Sequence, residues 1–264
     1  MISPHTPPSR LHRYRGRLRE SIAHEGIMGA LRQIVASMRW RLDPAHHAVR
    51  AVMHDNDAFD AQHGTDTRGE IPLEQLGVAP DQAKHGNGVY RAISTSHFQA
   101  AMALVGQPFE NCAFIDYGSG KGKALLLASD YPFRRIIGVE YSSALYQTSL
   151  ENLRCYGESS ARCRTIEVIK ADARHYQPPE EPLICFFFNP FDASIWRPVL
   201  RRLEQQYRLN GLPIHLVYVN IRNVAELEDV FHDFPSFVSV IKTQTVHVLS
   251  AINTPHLAPS SISV

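Results

Sequence analysis

The chain has 264 residues, which at about 150 residues per domain allows one large domain or one domain with an extension. Hydrophobic residues make up 44% and charged residues 20%, a balance that excludes a wholly disordered chain. The net charge of +1 argues against a globally basic nucleic-acid binder, and no apolar run approaches the roughly 18 residues that span a bilayer.

The opening residues, MISPHTPPSRLHRYR, lack the apolar core of a secretory signal. Cys112, Cys155, Cys163 and Cys185 form no C-x-x-C pair and read as buried or free thiols in a reducing compartment. The cytoplasm is the expected location. Charge is uneven along the chain. Residues 1–42 hold eight arginines against Glu20 and Glu25, a local charge of +6 that leaves −5 for the remainder. Ile27, Leu31, Ile34, Val35 and Met38 recur at helical spacing, so residues 1–52 are expected to form a basic helical extension. Its apolar face docks on the main domain in the favoured reading. The other reading is a peripheral contact of its arginines with a membrane or polyanion.

Residues 53–89 are polar, with Gly64 and Gly69 and no period, and read as a connector or lid that wraps the main domain. Within them, IPLEQLGV has the look of a docking segment. From residue 90 to 254 a regular alternation begins. STSHFQAAMALVG is a helix, with Ser94 or Ser96 as its cap and Gly106 as its stop. CAFID is a buried strand, GSGKG a glycine turn and KALLLAS a helix. RRIIGVE is the second strand, followed by the helix SSALYQTSLENLRCY. RTIEVIK is the third strand, and PLICFFF the fourth, apolar throughout as a strand buried on both faces must be. ASIWRPVLRRLEQQY is a helix that ends at Gly211, PIHLVYV the fifth strand, VAELEDVF a short helix and FVSVIKTQTVHVLSAI a terminal hairpin. The pattern predicts an α/β fold, a doubly wound and mostly parallel seven-strand sheet. Residues 255–264 are Pro/Ser-rich and read as a flexible tail.

The glycine turn carries the first chemistry. Asp116 ends the first strand, and Gly118, Gly120 and Gly122 follow in G-x-G-x-G spacing around Ser119. A phosphate-binding P-loop needs glycine at position 115, which is Ile115, and a hydroxyl residue where Gly122 stands. A dinucleotide fingerprint needs its third glycine one position later. An acid two residues before such a turn suits an amino-acid-like tail instead. Backbone N–H groups would meet its carboxylate and the acid its ammonium. The methionine part of S-adenosylmethionine (SAM) is such a tail. Lys121 reads as a solvent-facing charge at the helix start.

FIDYGSGKG resembles the first motif of class I SAM-dependent methyltransferases, and the later strands agree in order. The resemblance implies SAM as cofactor and gives roles to several residues. Glu140, about 20 residues after the turn, would hold both ribose hydroxyls. Asp172 would meet the adenine amino group, with the Ala173 N–H beside it. Asn189, Pro190 and Phe191 stand where the family aligns its methyl acceptor, a position that implies a nitrogen nucleophile. GNGVYRAISTSHF is locally similar to the lid of non-SET lysine methyltransferases, which implies Tyr90, Ser94 and Thr95 near the cofactor and a protein lysine as one acceptor. The acceptor itself, protein or small molecule, is not identified by sequence. Two other readings stay open: a catalytically silent SAM-binding interaction module and a nicotinamide-dependent oxidoreductase. Metal chemistry has no H-E-x-x-H or Cys/His ligand spacing behind it, and hydrolysis has no G-x-S-x-G elbow.

Overall fold

The computed structural model describes residues 44–86, 88–106, 108–156, 162–219 and 224–252. The chain divides into two compact units, Met1–Val52 and Met53–Val264. Of the first, residues 44–52 are described. They open helix α1 (Pro44–His63). The expected basic helix of residues 27–42, with its docking or membrane role, and the tail at 255–264 lie outside the described residues.

In the second unit a short hairpin comes first, β1 (Glu70–Pro72) paired antiparallel with β2 (Val89–Arg91). Between them lies one helical turn, α2 (Pro80–Ala83). Helix α3 (Thr95–Val105) follows. Ser94 caps it by accepting the His97 N–H, and Gly106 ends it in the left-handed conformation, as the sequence led us to expect. The main sheet consists of β3 (Ala113–Tyr117), β4 (Arg135–Glu140), β5 (Ile166–Lys170), β6 (Leu183–Phe188), β7 (Ile214–Val219), β8 (Val238–Lys242) and β9 (Val246–Ala251). Their spatial order is β5-β4-β3-β6-β7-β9-β8. The strands β3 to β7 are parallel, and β9 runs antiparallel to both β7 and β8.

Parallel neighbours need long crossovers. Helices α4 (Lys123–Ala128), α5 (Ser143–Tyr156) and α6 (Ala193–Asn210) supply them, and α7 (Val224–His232) precedes the hairpin. The sheet is covered on both faces. Phe98, Phe114 and Phe186 pack together on one, and Tyr117, Phe187 and Trp196 on the other. The chain moves outward from β3 through β4 to β5, then returns to the far side of β3 with β6. Diverging connections open a crevice at the C-terminal ends of β3 and β6. No helix of the described residues is long and apolar enough to cross a membrane.

The connector differs from its sequence reading. Residues to His63 are helical, and the face they bury is largely polar: Asn56, Phe59 and Asp60. Asp60 accepts the N–H groups of Thr67 and Arg68 and the hydroxyls of Thr65 and Thr67. Lys123 is buried, donates to Asp55 at 2.9 Å and Asn56 at 2.6 Å, and lies 4.6 Å from the Phe59 ring centroid. Lys121, expected in solvent, is buried too. Its Nζ donates to Asp66 Oδ1 and to the Arg68 carbonyl, both at 2.9 Å. Asn152 adds bonds to the Asp66 backbone and to the Lys121 carbonyl. An apolar period is absent because charge pairing does the work of apolar contact on this face.

Removing one partner of a buried ion pair strands the other. Asp55→Ala is therefore expected to lower unfolding stability by about 2–3 kcal/mol, the lower range reflecting partial exposure of Asp55. The exposed Arg68–Asp57 pair is the control, and Asp57→Ala is expected to cost under about 0.5 kcal/mol. Urea denaturation compares the two, and equal losses would deny Lys123 its structural role.

Candidate active site

The glycine turn leaves β3 with Gly118, Gly120 and Gly122 at φ of 81°, 57° and 85°, a region costly for any residue with a Cβ. Two of the glycines also lie under close neighbours. A Cβ on Gly118 would stand 2.8 Å from the Pro190 side chain, and one on Gly120 would stand 2.4 Å from the Tyr90 ring. Gly122 begins α4. The expected backbone cradle is different in detail. Gly118 and Ser119 donate to the Val139 carbonyl, Gly120 to Glu140 Oε2 at 2.8 Å, and Gly122 to the Ser119 carbonyl. These four N–H groups serve the turn, so they do not face a ligand carboxylate. The Ser119 hydroxyl is buried and has no hydrogen-bond partner among the described residues.

Glu140 ends β4 as expected and is buried. Oε2 accepts the Gly120 N–H and Oε1 the Ser142 N–H at 2.6 Å. A carboxylate has about four lone-pair sites, so its capacity exceeds these two bonds. Burial raises its pKa, against the pull of those N–H groups. Asp116 lies behind the turn, buried at the end of β3. Burial first, and the negative Glu140 second, push its pKa up to about 8.

A cleft with about 1000 Å³ of empty space, open mouth included, lies over these strand ends. Gly118, Gly120, Glu140, Asp172, Ala173 and Tyr90 line it, together with Asn189, Pro190 and Phe191. Asp116, Ser119 and Gly122 do not line it, and act on the turn from behind. Thr95 is also away from the cleft, and we correct its expected cofactor contact. Its N–H and hydroxyl both donate to Asp55 Oδ2, because it opens α3 beside the Lys123 pair. Tyr90 is buried over Gly120, and its hydroxyl donates to the Thr67 carbonyl at 2.5 Å.

Asn189 has φ of 46°, the one positive value outside glycine among the described residues, in a region that asparagine tolerates best. Its Oδ1 accepts the Tyr218 hydroxyl at 2.9 Å. Asn189 and Phe191 line the cleft and also a second cavity, walled by Trp196, Tyr218 and Glu226.

Part of the segment read as a connector or lid forms a strap along the cleft. Leu73, Val78, Gln82 and Gly86 come from the segment between β1 and β2. The strap is pinned at both ends of the cleft: Ser142 Oγ donates to the Leu76 carbonyl, Gly86 bridges to Phe191, and His85 Nδ1 lies 2.9 Å from Asp192 Oδ2. IPLEQLGV was its visible signal. Arg91 and Arg174 are the two cations lining the cleft among the described residues, and neither stood out in sequence.

No family model matches the chain, and no curated protein matches its sequence. Solved structures resemble its fold. A magnesium protoporphyrin IX methyltransferase from Synechocystis PCC 6803 with bound SAM is 13% identical, with 60% of this chain and 77% of that one covered and a TM-score of 0.40. A precorrin 8w decarboxylase from Methanobacterium thermoautotrophicum is 14% identical over 61% and 92% of the two chains, at a TM-score of 0.45. A ribosomal protein L11 methylase from Lactobacillus delbrueckii is 12% identical over 60% and 79%, at 0.43. At these identities the likeness is one of fold. The chain's own strand order places the antiparallel β9 between β7 and β8.

The contact of Gly120 with Tyr90 is open to test. Gly64 has φ of 68° and nothing within 4 Å of its Cβ position, so Gly64→Ala is expected to cost about 1–2 kcal/mol of backbone strain alone. Gly120→Ala adds overlap with the ring and is expected to cost about 3 kcal/mol or more. In a Tyr90→Ala background its cost is expected to fall to that of Gly64. Thermal unfolding measures all four proteins, and a cost unchanged by Tyr90→Ala would separate Tyr90 from the turn.

Proposed function

We propose that the protein is a SAM-dependent methyltransferase acting on a nitrogen acceptor, with a protein lysine among the acceptors to be tried. The observation that carries this reading is the pair of cavities sharing Asn189 and Phe191 at the reversal of strand order. Group transfer between two molecules needs two adjoining sites, and alignment across them is worth up to about 7–11 kcal/mol. The residues present fit the cofactor at a specific point. Glu140 is held by two backbone N–H groups at the cleft wall, with capacity for the two ribose hydroxyls. With the N–H groups of the turn used internally, Arg91 is our assignment for the tail carboxylate, and Asp116, behind the turn and out of contact, for the buried acid that senses its ammonium. SAM, when bound, supplies a methyl already activated on a sulfonium. The chain's residues then have to orient the acceptor and exclude water. Asn189, fixed by Tyr218, and Phe191 are our assignment for the first task, and the strap for the second.

The silent-module reading keeps the cofactor and removes transfer. The nicotinamide reading is opposed by β9, because the dinucleotide sheet is parallel across six strands. Four free cysteines fit a reducing compartment such as the cytoplasm.

A labelled-methyl screen over cell extract tests transfer directly. Asn189→Ala is expected to cut incorporation by about a hundredfold while SAM affinity stays within a few-fold. Incorporation equal to a no-enzyme blank in every fraction would leave the silent module. Proton linkage tests Asp116. At pH 7 a group with a pKa of about 8 is mostly protonated. A ligand ammonium held across the turn from it lowers that pKa, so binding releases a proton and affinity rises as pH climbs from 6 toward 8. Above about pH 8 the ligand's own α-amino group deprotonates and affinity falls. Calorimetry in buffers of different ionisation enthalpy counts the proton. Asp116→Asn is expected to remove the acid limb, and a wild-type profile flat below pH 8 would confine Asp116 to shaping the turn.

A further inference from the structure

The far end of the cleft is built differently from what the family resemblance implies. Asp172 stands after β5 where an acid would accept the adenine amino group. Its carboxylate is already occupied. Oδ1 accepts the Arg174 N–H at 2.9 Å and Nε–H at 3.0 Å, and Oδ2 accepts Nε–H at 3.1 Å and Nη2–H at 2.6 Å. Three N–H groups, with the Nε–H shared between the two oxygens, take most of the roughly four lone-pair sites of a carboxylate. Burial pushes the Asp172 pKa up, but the Arg174 bonds and charge outweigh it and hold the group below the usual range. A further hydrogen-bond donor offered to Asp172 would compete with a charge-assisted, bidentate partner that already holds both oxygens.

Arg174 reaches further. Its Nη2 also donates to Gln82 Oε1 at 2.8 Å, and its carbonyl is held by Arg202. Gln82, on α2 of the strap, and Arg174 both line the cleft. The guanidinium is planar with five N–H donors in a fixed fork. Asp172 takes the Nε and Nη2 edge, Gln82 accepts from the same Nη2, and Arg174 and Gln82 together line this end of the cleft.

We propose that Arg174 and Gln82 recognise the purine of the cofactor, and that Asp172 is a positioning residue acting through Arg174. The inference rests on the reading of the cleft as a SAM site. Arg174 donates to a ring-nitrogen acceptor and offers its flat face for stacking, and Gln82 tells the strap that the purine is in place. Recognition by donors also alters specificity. A carboxylate in direct contact rejects a purine whose 6-amino group is replaced by oxygen. A guanidinium tolerates that oxygen as a further acceptor.

Calorimetry with S-adenosylhomocysteine and its 6-oxo analogue, S-inosylhomocysteine, decides between the two arrangements. Arg174→Ala is expected to weaken S-adenosylhomocysteine about 10- to 100-fold, as for loss of a charge-assisted hydrogen bond. Asp172→Asn is expected to weaken it less, and to have no further effect in the Arg174→Ala background. Gln82→Ala, a change on the strap that leaves the sheet intact, is expected to weaken it several-fold. The two ligands are expected to bind wild type within about fivefold of each other. Unchanged or tighter binding by Arg174→Ala would overturn the inference, as would a full second loss from Asp172→Asn in that background. A hundredfold preference for the adenosyl ligand that Asp172→Asn abolishes would overturn it as well. If Arg174→Ala lowers the melting temperature, Gln82→Ala and the ligand ratio decide alone. Wild type that binds neither ligand contradicts the reading of the cleft itself, whereas binding by wild type with unaltered Arg174→Ala contradicts this inference only.

Discussion

The Glu140 carboxylate ties two crossovers of the sheet together. Its oxygens accept one N–H from the glycine turn after β3 and one from the start of the connection after β4. Both connections leave the sheet at the crevice, so their relative position sets the floor of the cleft. Bonds from backbone N–H groups to a buried charge are stronger than neutral ones, and losing either would leave that charge stranded in a poorly solvating interior. Asp116, two residues before the turn, feels the same burial with no cation beside it. Burial therefore favours the protonated form of Asp116, and Glu140 is the acid of this pair that lines the cleft, with Arg91 and Arg174 lining it from elsewhere.

The roof depends on a second set of charges. Lys121 lies in the glycine turn and Lys123 starts α4 directly after it, and both are buried under residues of α1 and of the approach to β1. Their partners, Asp55, Asn56, Asp66 and the Arg68 carbonyl, fix where the strap begins. Tyr90, at the other end of the strap, rests on Gly120 and bonds the Thr67 carbonyl. The glycine turn, the buried lysine pairs and the strap thus share residues within a few positions of one another, and movement of the strap has to be registered at the glycine turn.

Much of this was legible in the residues. Apolar strands such as LICFFF, the caps Ser94 and Gly211, and the acids at the ends of β3 and β4 announced the sheet and its crevice. Signals failed where burial was polar. The face of α1 formed by Asn56, Phe59 and Asp60 has no apolar period, and two lysines in a turn look solvated until Asp55 and Asp66 arrive from about 60 residues away in sequence. The family resemblance pointed to Asp172 but was silent about Arg174 beside it. Thr95 was placed near the cofactor by the lid resemblance, which could not show that Asp55, 40 residues earlier, takes its N–H and hydroxyl. Gly120 was read as room for a ligand, and its nearest neighbour is Tyr90.

The central claim is that this crevice holds SAM rather than a dinucleotide. Parallel calorimetric titrations of the full chain with SAM and with NAD test it most directly, with Glu140→Ala as the site control. Saturable binding of SAM that Glu140→Ala weakens by about 30-fold or more, with no heat from NAD, is the expected result. Tight NAD binding with no SAM response, or SAM binding indifferent to Glu140→Ala, would contradict it.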